Sequence, residues 1–171
     1  MHGRFKLSTI YRVRCERQGK TAWERTIENM VVLAGGQDFI TTYSQGVNYT
    51  AAWEIGLKDG GLPFPTDTLL SHPSWNELTP YAGSRPVAHV GTATFTMNVP
   101  PAPPGGVASI DNAAHPLQYA INAPATIGGC FSCTSGGLLY GVATAPLGTV
   151  VPGDMLYIIV TFTATEVAGP S

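Results

Sequence analysis

From Phe5 to Cys15 the chain alternates residue by residue. Phe5, Leu7, Thr9, Tyr11, Val13 and Cys15 fall on one parity, and Lys6, Ser8, Ile10, Arg12, Arg14 and Glu16 on the other. Successive side chains of a strand point to opposite faces, so this period of two demands a strand with one buried and one solvated face. The same signal returns near the far end. Between Met155 and Thr165, Leu156, Ile158, Val160, Phe162 and Ala164 share a face that we assign to the core. Tyr157, Ile159, Thr161, Thr163 and Thr165 share the other. Two half-buried strands at opposite ends of a chain need neighbours in a sheet and a second layer to cover their apolar faces.

The segments between them supply both. Gln18-Gly19-Lys20 is a turn, and Ala22 to Glu28 is a return strand with Glu24, Thr26 and Glu28 on one face and Trp23, Arg25 and Ile27 on the other. Its acidic face can pair across with the basic face of the first strand. Met30 to Leu33 is a short apolar run ended by Gly35-Gly36, and Gln37 to Ser44 reads as about two turns of helix closed by Gly46. Tyr49 to Leu57 is a strand, followed by a turn at Lys58-Asp59-Gly60-Gly61. Residues 62–86 hold five prolines and no sustained period, with room for a helical turn near Ser71 to Glu77. Alternation resumes at Thr92 to Val99, then breaks at the stiff stretch Pro100 to Gly106. Ala125 to Cys133, Leu138 to Ala145 and Met155 to Thr165 are the last strands, the final one preceded by a turn at Pro152-Gly153-Asp154. The expected fold is all-β: a single antiparallel β-sandwich spanning residues 1–171. It has a charged N-terminal hairpin at 1–28, one short helix, and long loops at 62–86 and 100–116. Twenty glycines, fourteen prolines and only 12% charged residues agree with short strands joined by loops and disagree with a helical bundle.

Charge is unevenly spread. The first 28 residues carry seven basic and three acidic side chains. From Pro86 onward there is no Lys or Arg, and the only acids are Asp111, Asp154 and Glu166. Two readings of the charge-poor half stand side by side: a surface covered by other subunits, or one kept soluble by Thr, Ser and Asn. Arg12, Arg14 and Arg17 form the one basic row. Interleaved with Glu16 and followed by Glu24 and Glu28, they read as a solvated strand face or a partner contact. They do not read as a site for specific nucleic-acid binding. No stretch reads as a membrane span or a secretion signal, so assembly in a cytoplasm is expected.

Catalytic constellations are missing from the sequence. Cys130 and Cys133 have the spacing of a metal or redox pair. A zinc site needs two more ligands, however, and a redox pair needs a helix N-terminus, whereas the context here is strand-like. Cys15, His72, His89 and His115 are scattered. There is no nucleophile elbow, phosphate loop or dinucleotide fingerprint. No enzyme activity, cofactor or metal is expected. Phe64, Trp75 and Tyr81 stand in the irregular 62–86 segment, where aromatics either plug the end of a sandwich or anchor a partner.

A set of segments carries a resemblance. It runs from the hairpin of Tyr11 to Trp23 through Glu28-Asn29-Met30-Val31-Val32, Gly36-Gln37-Asp38-Phe39-Ile40 and Thr50-Ala51-Ala52-Trp53-Glu54-Ile55-Gly56-Leu57. It continues through Asp67-Thr68, Ser71-His72-Pro73-Ser74-Trp75-Asn76-Glu77, Tyr81 and Arg85-Pro86 to Gly137-Leu138-Leu139, Val151-Pro152-Gly153-Asp154 and Thr161-Phe162. In this order the chain resembles the capsid decoration, or cement, proteins of short-tailed (podovirus-type) and related tailed bacteriophages. The Pro100 to Gly106 stretch and the Cys130/Cys133 pair depart from that pattern. The resemblance implies a β-sandwich, jelly-roll-like, that assembles as a dimer or trimer on the outer surface of the virion. It would bind the major capsid protein there and stabilise the assembled shell, with no catalytic residues. The alternative is a tail-fibre or baseplate module that binds host surface glycan.

Overall fold

The computed structural model describes residues 4–45, 53–91, 94–97 and 106–167. Two antiparallel sheets face one another. The first has the order β2-β1-β12-β8-β7, with β9 also paired to β12. The second has the order β3-β11-β10-β4-β5, with β6 also paired to β4. The strands of the first sheet are β1 (Arg4–Arg17), β2 (Lys20–Glu28), β7 (Thr94–Met97), β8 (Gly106–Asp111), β9 (Leu117–Ala120) and β12 (Met155–Val167). Those of the second are β3 (Met30–Val31), β4 (Trp53–Lys58), β5 (Glu77–Leu78), β6 (Val87–Ala88), β10 (Ala125–Thr134) and β11 (Leu139–Val150). The all-β, two-sheet expectation holds.

The two alternating terminal segments pair with each other. β1 and β12 run antiparallel from Arg4 opposite Val167 to Glu16 opposite Met155. Tyr11, Val13, Cys15, Leu156, Ile158 and Val160 are all fully buried, as the parity requires. They meet Ile55, Leu57, Ile127, Cys130 and Leu147 of the second sheet in one core. Tyr119 ties the layers together, since its hydroxyl donates to the Ile55 carbonyl at 2.8 Å. The β1–β2 turn has positive φ at both central residues, 51° at Gln18 and 74° at Gly19. That twist matches a two-residue hairpin.

Four expectations need correction. The helix α1 spans Leu33–Gln45 and so begins upstream of Gln37, running straight through Gly35-Gly36. Gly35 is there for space, because a Cβ on it would stand 2.3 Å from the Tyr140 carbonyl oxygen. The absent side chain lets the helix lie directly on β11. Lys58, placed in a turn by its sequence, ends β4 and is fully buried. Residues 100–116 are not all loop, because Gly106–Asp111 forms β8 and pairs with β12 from Asp111 opposite Thr161 to Val107 opposite Thr165. The 71–77 region holds a turn in which the Trp75 N–H donates to the His72 carbonyl at 3.3 Å, followed by β5 in place of a helical turn. Gly46, residues 49–52 and most of the Pro100 to Gly106 stretch lie outside the described residues.

Candidate interaction surface

The expected site residues divide into two groups. Arg12 and Arg14 project from β1 onto the solvated face of the first sheet, beside Glu24, Tyr157 and Ile159. Arg14 pairs with Glu16 at 3.2 Å and stands over the Tyr157 ring at 4.9 Å. In register it faces Glu24, while Lys6 reaches Glu28 at 2.6 Å. Charge of both signs therefore alternates along this face, as on a solvated edge. Arg17 has a different task. Its Nε and Nη2 donate to the two oxygens of Asp154, each at 2.8 Å. Asp154 is almost wholly buried and also accepts from the Val151 N–H at 2.9 Å. The guanidinium bonds hold its carboxyl well below the usual range, at about 2. Arg17 is thus a clamp between the hairpin and the β11–β12 turn, which leaves less of it to offer a partner.

In the 62–86 segment the three aromatics separate. Of the two readings open for these aromatics, Trp75 and Tyr81 follow the first: at 2% and 6% exposed they plug the protein's own layers, and neither offers a side chain to a partner. Trp75 is stacked on His72 with ring centroids 3.8 Å apart and packs against Phe131. Tyr81 meets Tyr119 edge-on at 4.9 Å and bridges to Ile121. Phe64 is 52% exposed and remains accessible.

The buried members hold this segment rigid. Trp75 Nε1 donates to the Asp67 carboxylate at 2.8 Å, and the Phe64 N–H donates to the same oxygen at 3.0 Å. The Asp67 N–H returns to the Phe64 carbonyl at 3.0 Å, closing a turn. Lys58 fixes the entry to the segment. Its Nζ donates to the Asp59 and Gly61 carbonyls, both at 2.6 Å, and to the Thr144 hydroxyl at 2.9 Å, with the Trp75 ring 5.7 Å away. Burial lowers its pKa. At the exit, Arg85 makes two 2.7 Å bonds to Glu77 and one of 3.3 Å to Glu54. The Glu77 bonds raise the pKa of Arg85.

Sequence reasoning missed the leucines. Leu70 is 98% exposed, Leu62 72% and Leu33 61%. The one available signal was Leu69-Leu70 in a stretch where Asp67 and His72 are the only ionisable residues between Asp59 and Glu77.

The geometry offers little chemistry. Cys15, Cys130 and Cys133 are free and buried. Burial pushes their thiols up to about 11, 12 and 11 respectively. A thiol so raised is a poor nucleophile and metal ligand. Among the described residues no three His, Cys, Asp or Glu side chains are grouped to hold a metal ion, and no helix is long and apolar enough to cross a membrane. Compared with protein families, with curated proteins and with solved structures, the chain matches none.

Proposed function

We propose that this chain is a virion structural protein, a decoration protein that binds the outside of an assembled phage capsid and stabilises it. In this reading it performs no reaction. Its partner is the major capsid protein, it acts as a homo-oligomer, and it is assembled in the host cytoplasm. The observation that supports it best is the near absence of charge on the strands that form the second half of the sandwich. No basic residue follows Pro86, and Asp154, one of the three acids there, is buried against Arg17. Interface cores are depleted of charged side chains, and a surface built this way costs little to desolvate. A protein that binds the assembled lattice and not the free subunits stabilises the lattice by mass action.

The test adds purified protein to assembled shells that lack it. Saturable binding at a fixed number of copies per shell, with a higher temperature of shell disruption, is the expected result. No binding to shells would sink the reading, and binding to host envelopes alone would redirect it to the fibre module.

A further inference from the structure

Four of the five large apolar side chains that stand exposed among the described residues belong to the start of α1 and to residues 62–70, the segments around the second apolar cluster, on the outer face of the second sheet: Leu33, Leu62, Phe64 and Leu70. Their backbones are tied together. The Leu33 N–H donates to the Pro65 carbonyl at 3.0 Å, and the Ser74 hydroxyl donates to the Leu62 carbonyl. Thr68 and Ser71 exchange backbone bonds of 3.0 and 3.2 Å, so Leu69 and Leu70 form the tip of a closed turn. Leu69 folds inward onto the core of Val32, Trp75, Phe131 and Leu139, and Leu70 points away from it into solvent.

Asp67, the only carboxylate between Asp59 and Glu77, is 3% exposed and consumed by Trp75 and Phe64, so it offers no charge beside the apolar tip. The backbone that carries these apolar side chains is tied down by hydrogen bonds, so little backbone ordering is left to offset on binding.

We infer that this tip, with Leu70 as its knob and Leu62, Phe64 and Leu33 around it, is the seat of the protein on its partner. That partner is an uncharged apolar recess repeated across a protein lattice. The inference rests on the decoration reading and adds to it which face docks. Size favours a lattice over a second copy of the chain. Four such side chains expose on the order of 500 Å². A stable pair of proteins buries about 800 Å² per partner. A contact this small is weak singly and effective when many copies, or several tips of one oligomer, engage a repeating surface.

The experiment compares wild type with Leu70→Asp and with the double variant Leu62→Ser, Leu70→Ser in co-sedimentation with shells lacking the protein. Thr26→Asp, an equal charge placed on the hairpin, serves as control. We expect both tip variants to lose affinity by about tenfold or more. They should keep the wild-type melting temperature and circular dichroism, and Thr26→Asp should bind as wild type. Wild-type binding by both tip variants would overturn the inference and leave the decoration reading intact. Failure of wild type itself to bind would remove both. A wild type that self-associates through the tip, with Leu70→Asp monomeric by sedimentation, would replace the lattice by a second copy.

Discussion

Asp154 lies where the β11–β12 turn meets the end of the β1–β2 hairpin, and its carboxylate is the most strongly held acid of the described protein. Its pKa is about 2 in the folded chain against an ordinary value of 3.8, chiefly through the Arg17 hydrogen bonds. A carboxyl depressed on folding contributes stability that is full above its unfolded pKa and is lost as pH falls through its folded pKa. Melting temperature should therefore drop between about pH 4 and pH 2, and Asp154→Asn should flatten that part of the profile. At neutral pH the same variant should cost about 1–2 kcal/mol, measured by denaturant titration. Solvent screens the pair from the Arg17 side, whose side chain is 44% exposed. Neither partner was legible as a pair, because 136 residues separate Arg17 from Asp154 in a sequence that shows only a basic row and a turn. Lys58 was misread for a related reason. Beside Asp-Gly-Gly a lysine looks like a solvated turn residue, and only the three-dimensional cage of two carbonyls and a hydroxyl reveals why it is buried.

At the level of elements, legibility follows period. β1 and β12 are long, and their parity fixes their faces without knowledge of partners, whereas β10 and much of β11 are buried on both faces and are legible only as apolar, β-prone runs. β3, β5 and β6 span two residues each, too short for any period to register. β8 follows a proline-rich stretch that masks its start, and β9, despite its buried-exposed alternation, is only four residues long. The helix boundary was misplaced because glycine signals a stop by conformation, whereas at Gly35 it answers to crowding. Gly35→Val should therefore destabilise the protein by at least about 2 kcal/mol, read as a fall of several degrees in melting temperature. Gly36→Val, with nothing within 4 Å of the added Cβ, should be neutral or slightly stabilising, because valine is a better helix former than glycine. The charges of β2 also find their reason at this scale. It is an edge strand, and Lys20, Glu24, Arg25 and Glu28 are all exposed along it, which discourages pairing with the edge of another molecule.

For the molecule as a whole, the two-layer core accounts for the silence of its potentially reactive groups. All three thiols are buried, Cys130 and Cys133 in the second sheet and Cys15 in the first. At about pH 8 an aromatic disulfide reagent should modify none of them in the folded protein and all three after guanidinium is added. Rapid labelling of one thiol in the native protein would show that the layers part locally. The fold class was legible because it depends on patterns repeated over many residues. The candidate surface was not, because exposure of Leu70 and burial of Trp75 depend on how one aperiodic segment is tied down by single hydrogen bonds.

The pairing of β1 with β12 has a consequence for how the protein is made. β12, synthesised after every other described strand, occupies the middle of its sheet, with β1 on one side and β8 and β9 on the other. Until it arrives, the earliest strand has only its hairpin mate, and the apolar row from Tyr11 to Cys15 lacks the layer mates supplied by Leu156 and Ile158. Nascent chains must therefore wait in a half-built, sticky state, and closure over so large a sequence separation is intrinsically slow.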